Sequence, residues 1–213
     1  MPDLLVFDFD GVILDSVGIK DEAFHDLFED ATEKQKEEVL QFHRFTPGLP
    51  RQIKIERILT EILRRPLDRD SVTGALNRYS KIVWNRVTKC PEVHGIRAYL
   101  EEQENIPKYI VSASPQGELS ELTRVRGLKP YFKGVFGGPD SKSALLKAII
   151  EKEDVRPSQV LMYGDKKSDL EAASDVGIQF VARITADEEE GFPESILRIE
   201  DFTEVLRNDA RKK

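Results

Sequence analysis

The chain has 213 residues, 39 of them acidic and 32 basic, for a formal charge of -7, with 39% hydrophobic and 33% charged residues. This is an ordinary globular composition with room for one domain and an insertion, and its acidic balance argues against a general nucleic-acid binder. The single cysteine, Cys90, excludes an internal disulfide, the apolar runs are far too short to cross a bilayer, and no basic-then-apolar leader opens the chain, so a cytoplasmic protein is expected.

In chain order, Leu4–Phe7 is a short apolar run that stops at Asp8-Phe9-Asp10-Gly11-Val12, and reads as a buried strand ending in a turn. From Ser16 to Lys89 no strand pattern occurs. Ile55, Ile58, Leu59, Ile62 and Leu63 form one helical stripe, preceded by Pro50, and Val72, Leu76, Tyr79, Val83 and Val87 form another. Trp84, within the second stripe, reads as a core residue. Strand-like runs then return at Tyr109–Val111, Val160–Tyr163 and Phe180–Ala182, with a weaker one at 196–199. Between them lie helical repeats: Leu119, Leu122 and Val125 before Gly127, Leu145, Leu146, Ile149 and Ile150, and Leu170, Ala173 and Val176 before Gly177. Strands alternating with helices predict parallel crossover units, and therefore an α/β fold with a doubly wound parallel sheet. The all-helical block reads as a smaller inserted domain. The expected boundaries are 1–15 and 90–213 for the α/β core and 16–89 for the insertion, with hinges near Asp15–Ser16 and Lys89–Pro91.

Four places carry chemistry-bearing side chains. Asp8 and Asp10 alternate at a strand's carboxyl end, where open α/β sheets bind ligands. Two carboxylates that close repel unless a cation or proton intervenes, which points to a metal site or an acid/base pair; the alternative is a solvated acidic turn. Asp165 and Asp169, in Gly164-Asp165-Lys166-Lys167-Ser168-Asp169, follow a second strand and supply hard oxygen ligands of the kind magnesium takes, although Asp169 also suits the first turn of a helix. Ser112, in Val-Ser-Ala-Ser-Pro, and the backbone at Ala113 end a third strand and can cradle a phosphate; an ordinary loop serine is the alternative. Lys142 precedes a helix after Gly137-Gly138-Pro139, and taken alone is a solvated charge. In the helical block, Arg51 and Lys54 follow a Pro-Gly loop and can present cations to an anionic substrate, whereas Arg44 reads as a solvated helix end. His25, His43 and His94 lack metal-ligand spacing.

An Asp-x-Asp strand end, a serine strand end, a lysine at a helix start and Gly-Asp-x-x-x-Asp, in that order, resemble the four motifs of the haloacid dehalogenase-like hydrolase superfamily. The resemblance extends over the whole chain, with DFDGV and GDKKSD as its specific parts, and the helical block is similar to that family's cap. The segment from Pro91 to Ile96 resembles the return from cap to core.

The resemblance implies a phosphatase in which Asp8 is the nucleophile and Asp10 the general acid and base. Magnesium would be held by Asp8, the Asp10 backbone carbonyl, Asp165 and, through water, Asp169, while Ser112, Ala113 and Lys142 would hold the phosphate. Asp10 favours phosphate esters over carbon–halogen or phosphonate substrates. The pattern is most similar to phosphoglycolate phosphatases and β-phosphoglucomutases. Lys20 stands where the mutases have a histidine, which leans towards a hydrolase acting on a small phosphorylated sugar or organic acid. Lys166 is a further departure, since relatives often carry a small residue there. A sugar-phosphate mutase, and a non-catalytic binding protein on the same fold, are the alternatives. The expected partner is a small phosphorylated metabolite, with no nucleic acid or membrane, in a monomer or homodimer.

Overall fold

Leu4, Leu5, Val6 and Phe7 are all inaccessible to solvent, as an apolar strand must be when helices cover both faces of its sheet. This strand, β1 (Leu4–Phe7), lies centrally in a six-stranded sheet of order β3-β2-β1-β4-β5-β6. The others are β2 (Lys108–Pro115), β3 (Gly134–Gly138), β4 (Val160–Gly164), β5 (Gln179–Arg183) and β6 (Leu197–Ile199). Every pairing is parallel, so all carboxyl ends share one edge. The computed structural model describes residues 2–46, 49–185 and 191–210. Residue contacts divide the chain into two compact units, Met1–Asp15 with Pro91–Lys213, and Ser16–Cys90.

In the sheet unit, Leu4, Val6, Tyr109, Val111, Val160 and Met162 pack with Leu146, Ile149, Ala172 and Ala173. These last four come from α7 (Lys142–Glu153) and α8 (Lys167–Val176). Phe7 alternates to the other face, stacking on Tyr163 at 5.2 Å and meeting Tyr99 and Phe202 edge-on or tilted. Those two rings belong to α5 (Ile96–Glu102) and α9 (Phe202–Ala210), counting α1–α4 in the helical unit. Gly177 ends α8 in the left-handed conformation that glycine adopts without strain. Residues 13–15 and 91–93 run side by side where the chain leaves and re-enters this unit: Asp15 N–H donates to Pro91 O and Val93 N–H to Ile13 O.

The sequence reading omits β3, because Gly134-Val135-Phe136-Gly137-Gly138 has too few β-favouring residues to register. Those glycines are required by packing: a Cβ at Gly134 would lie 2.6 Å from the Tyr109 ring, and one at Gly137 2.5 Å from Ser114 O. Cys90, expected to open the core segment, groups instead with the helical unit. Its N–H donates to Arg86 O and its Sγ to Val87 O, which makes it part of the preceding helix end. Trp84 is half-buried, not core, and Val125 is exposed where α6 (Gln116–Val125) ends.

The helical unit contains α1 (Ile19–Asp26), α2 (Glu33–Phe45), α3 (Arg51–Arg57) and α4 (Arg69–Val87). Thr32 caps α2 with a reciprocal Thr32–Gln35 capping box. The predicted stripe of Ile55, Ile58, Leu59 and Leu63 is buried, but after α3 it passes through a π-helical turn at Ile58–Ile62, where Leu63 N–H donates to Ile58 O. Among the described residues no helix is long and apolar enough to cross a membrane.

Candidate active site

The order β3-β2-β1-β4-β5-β6 reverses direction between β1 and β4, and open α/β sheets place their ligand crevice beyond the carboxyl ends at that switch. Asp8 stands one residue past β1 and Asp165 one past β4; the Asp8 N–H bond to Tyr163 O (2.9 Å) extends the pairing of the two strands to this point. After Asp8 the chain turns tightly: Ile13 and Leu14 N–H both reach Phe9 O, and Gly11 N–H reaches Leu14 O. Gly11 has φ +77°, and a Cβ there would run into Asp165 Oδ2, so only glycine fits between this turn and that carboxylate.

Asp8, Asp165 and Asp169 are all buried, and each offers a carboxylate oxygen within 4.8 Å of the other two. Lys142, the first residue of α7, reaches into the cluster. Its Nζ lies 2.9 Å from Asp8 Oδ2 and hydrogen-bonds Asp169 Oδ1. Asp169 also suits the first turn of α8, because its other oxygen accepts the amides of Asp165 and Lys166, each at 3.2 Å. Asp165 is different: its Oδ1 is buried with no hydrogen-bond partner among the described residues, and Lys166, half-exposed, approaches Oδ2 only to 3.7 Å.

The electrostatics follow from burial. Desolvation pushes Asp165 up to about 8, reinforced by Asp8 and opposed by Lys166. Asp8 rises to about 6, again chiefly through burial, with Lys142 pulling the other way. Burial disfavours the Lys142 charge, but the two carboxylates beside it outweigh that and hold it above the usual lysine range. Were all three buried carboxylates ionised, one lysine would leave an excess of two negative charges. A hard divalent cation meets that excess, the unpartnered Asp165 oxygen and the all-oxygen donor set together.

Asp10 is brought to the end of β2, where Ser114 Oγ donates to its Oδ2 at 3.0 Å. Its side chain therefore lies beside the β2 end that carries Ser112 and Ala113, and the Asp8–Asp165–Asp169 cluster does not include it. Ser112 is buried and its Oγ accepts from Ser114 N–H, while Ala113 is exposed. Ser114 and Arg183 were missed by sequence reading. Ser114 was visible as the second serine of Val-Ser-Ala-Ser-Pro; Arg183 gave no signal beyond closing a strand.

Within the helical unit, Arg51 is half-buried, with its guanidinium 4.7 Å over the Tyr79 ring and Nη1 donating to Ser80 Oγ. Lys54 departs from expectation. It is 3% exposed, its Nζ lies 2.9 Å from His43 Nδ1 and 3.2 Å from His43 O, and burial depresses its pKa. His43, stacked on Phe24, meets Asp21 through Nε2 and is held neutral by burial, with a pKa of about 4. Lys54 is thus engaged by its own unit and offers no open cation. Pro47 and Gly48 of the same loop lie outside the described residues. Arg44 pairs with Asp21, and Lys20 is exposed.

A doubly wound parallel sheet with Asp8, Asp165, Asp169 and Lys142 buried together at its switch point defines the class as a Rossmann-like α/β core with a candidate cation site. A model of the haloacid dehalogenase-like hydrolases matches residues 5–183, and the chain belongs to that family. The phosphorylated carbohydrates phosphatase of Thermotoga maritima is 29% identical over 184 residues, covering 82% of each chain. Among solved structures, Bacillus subtilis YfnB bound to magnesium superposes with TM-score 0.74 at 18% identity, covering 97% of this chain and 98% of that one. CbbY of Rhodobacter sphaeroides in complex with phosphate gives TM-score 0.69 at 15% identity over 96% of each. At these identities the two structures share the fold.

Proposed function

We propose that the chain is a magnesium-dependent phosphatase that hydrolyses a small phosphorylated sugar or organic acid through an aspartyl-phosphate on Asp8. The observation that carries this reading is the buried cluster of Asp8, Asp165 and Asp169 with one lysine and one unpartnered carboxylate oxygen. The name of the Thermotoga relative supports a carbohydrate phosphate as substrate.

In this reading an Asp8 oxygen attacks phosphorus; the new O–P bond forms as the bond to the leaving alcohol breaks. Asp10, oriented by Ser114, gives its proton to that alcohol, then takes one from the water that attacks the aspartyl-phosphate and releases inorganic phosphate. Lys142 balances charge on the transferring oxygens and keeps Asp8 ionised, and Ser112 with the Ala113 amide holds those oxygens. Asp8, the Asp10 carbonyl, Asp165 and Asp169 would hold magnesium, which supplies further charge neutralisation on the phosphoryl group. Arg51 is the proposed specificity residue of the helical unit; Lys54 joins it only through the packing around His43.

The test is phosphate release across sugar phosphates, phosphoglycolate and nucleoside monophosphates, with magnesium and with chelator. Release from at least one sugar or acid phosphate, abolished by chelator and by Asp8→Asn, is expected, and Arg51→Met should reorder substrate preference. Isomerised sugar phosphate without net phosphate release would establish the mutase instead.

A further inference from the structure

Arg183 ends β5 and is 8% exposed, a guanidinium taken almost wholly out of water. Such burial is tolerated when the donors of the fork are used, and all three nitrogens have acceptors. Nη1 donates to Gly11 O at 3.2 Å, Nε to Glu200 O at 3.1 Å, and Nη2 lies 3.2 Å from Asp15 Oδ1. One side chain therefore joins the turn after Asp10, the last residue before the helical unit, and the segment that follows β6.

The turn it holds is the one that presses on Asp165. Gly11 N–H is fixed by Leu14 O at 2.8 Å; because N–H and C=O oppose each other across a trans peptide, the same bond sets the direction of the Asp10 carbonyl. The next carbonyl along, that of Gly11, is held by Arg183. Gly11 sits so close to Asp165 that no side chain fits between them. A shift of this turn therefore moves the Asp10 carbonyl and the Asp165 carboxylate relative to each other.

The geometry points to Arg183 as a positioning residue for the metal-binding edge of the site, acting through Gly11. Its three nitrogens all face protein oxygens, and the inference rests on the reading of Asp8, Asp165 and Asp169 as a magnesium site. Lysine cannot replace it, being a single point charge on a flexible stem that cannot span three acceptors.

Arg183→Lys keeps the charge and most of the volume, and Arg183→Gln keeps a polar end. Two readouts apply to each: the magnesium concentration giving half of the maximal rise in Tm without substrate, and kcat and KM for p-nitrophenyl phosphate at saturating magnesium. Loss of such an outer partner is expected to weaken the magnesium response about tenfold and lower kcat by a similar factor, with KM moved less than about twofold. Asp15→Asn, which leaves the Gly11 bond in place, should change either readout by less than about threefold, as an ion pair with an exposed partner does. A folded Arg183 variant with native magnesium half-saturation and native kcat overturns the assignment, even if its Tm falls. Should the glutamine variant fail to fold, the lysine variant decides alone. A wild-type protein whose Tm ignores magnesium overturns the metal reading itself, and this inference with it.

Discussion

A lysine at the first position of a helix is an electrostatic misfit, because the amino end of a helix already carries partial positive charge. Lys142 occupies that position in α7, and Asp8 and Asp169 compensate it from other segments. A local rule broken and repaired at a distance marks a functional place more reliably than the residue type does. The carboxylates carry a stability signature with a definite sign. In the unfolded chain an aspartate titrates near 3.9, whereas Asp8 and Asp165 titrate at about 6 and about 8 when folded. Between those values the folded, metal-free protein holds protons that the unfolded chain has released, so stability is highest at the acid end and declines as pH rises. His43 works in the opposite sense: with a folded pKa of about 4 it costs stability as pH falls below about 6.5, its unfolded value. The comparison with Asp165→Asn cancels that contribution. Metal-free melts should show a Tm that falls by several degrees from about pH 6 to about pH 8.5, with Asp165→Asn nearly flat over that span. Magnesium should raise the wild-type Tm much more at the alkaline end, where it does not compete with protons. A wild-type Tm no more pH-dependent than that of the variant contradicts this account.

At the scale of elements, the strands with continuous apolar runs were legible, and so were the helices whose repeats end at Gly127 and Gly177. The strand β3 was not, because its glycines answer to neighbours distant in sequence. Gly137→Val should drive β3 against Ser114 O and the Gln116 backbone, displacing the Ser112–Ser114 end of β2. Activity on a phosphate ester should fall on the order of tenfold or more, the scale of a misplaced phosphate contact. Gly117, in the first turn of α6, has open space where its Cβ would stand. Gly117→Ala should leave turnover unchanged and raise stability by up to about 1 kcal/mol, read as a Tm gain of a few degrees. Equal activity loss in both variants would show that glycine at 137 has no special part. The site divides the same way. Asp8, Asp165 and Lys142 were legible because charged groups at strand ends and a helix start form an ordered pattern. Ser114 and Arg183 were not, because their meaning lies in partners 104 and 172 positions away. Lys54 misled for a related reason: its loop suggests an open cation, but Phe24 and His43 close over it.

At the scale of the molecule, a parallel sheet gathers every strand's carboxyl end on one edge, which is how residues 8 and 165 come to share a site. The helical unit Ser16–Cys90 is inserted directly after the turn that carries Asp10, so that turn and the crossing between units are contiguous in sequence. Everything proposed for the chemistry depends on Asp8 becoming covalently phosphorylated. Rapid-quench mass spectrometry of the intact protein during turnover of its best substrate, followed by peptide mapping, tests this directly. The account predicts one added phosphoryl group on Asp8, formed with magnesium, absent with chelator and absent in Asp8→Asn. Magnesium-dependent turnover that persists in Asp8→Asn, or a phosphoryl group mapped to another residue, would contradict it.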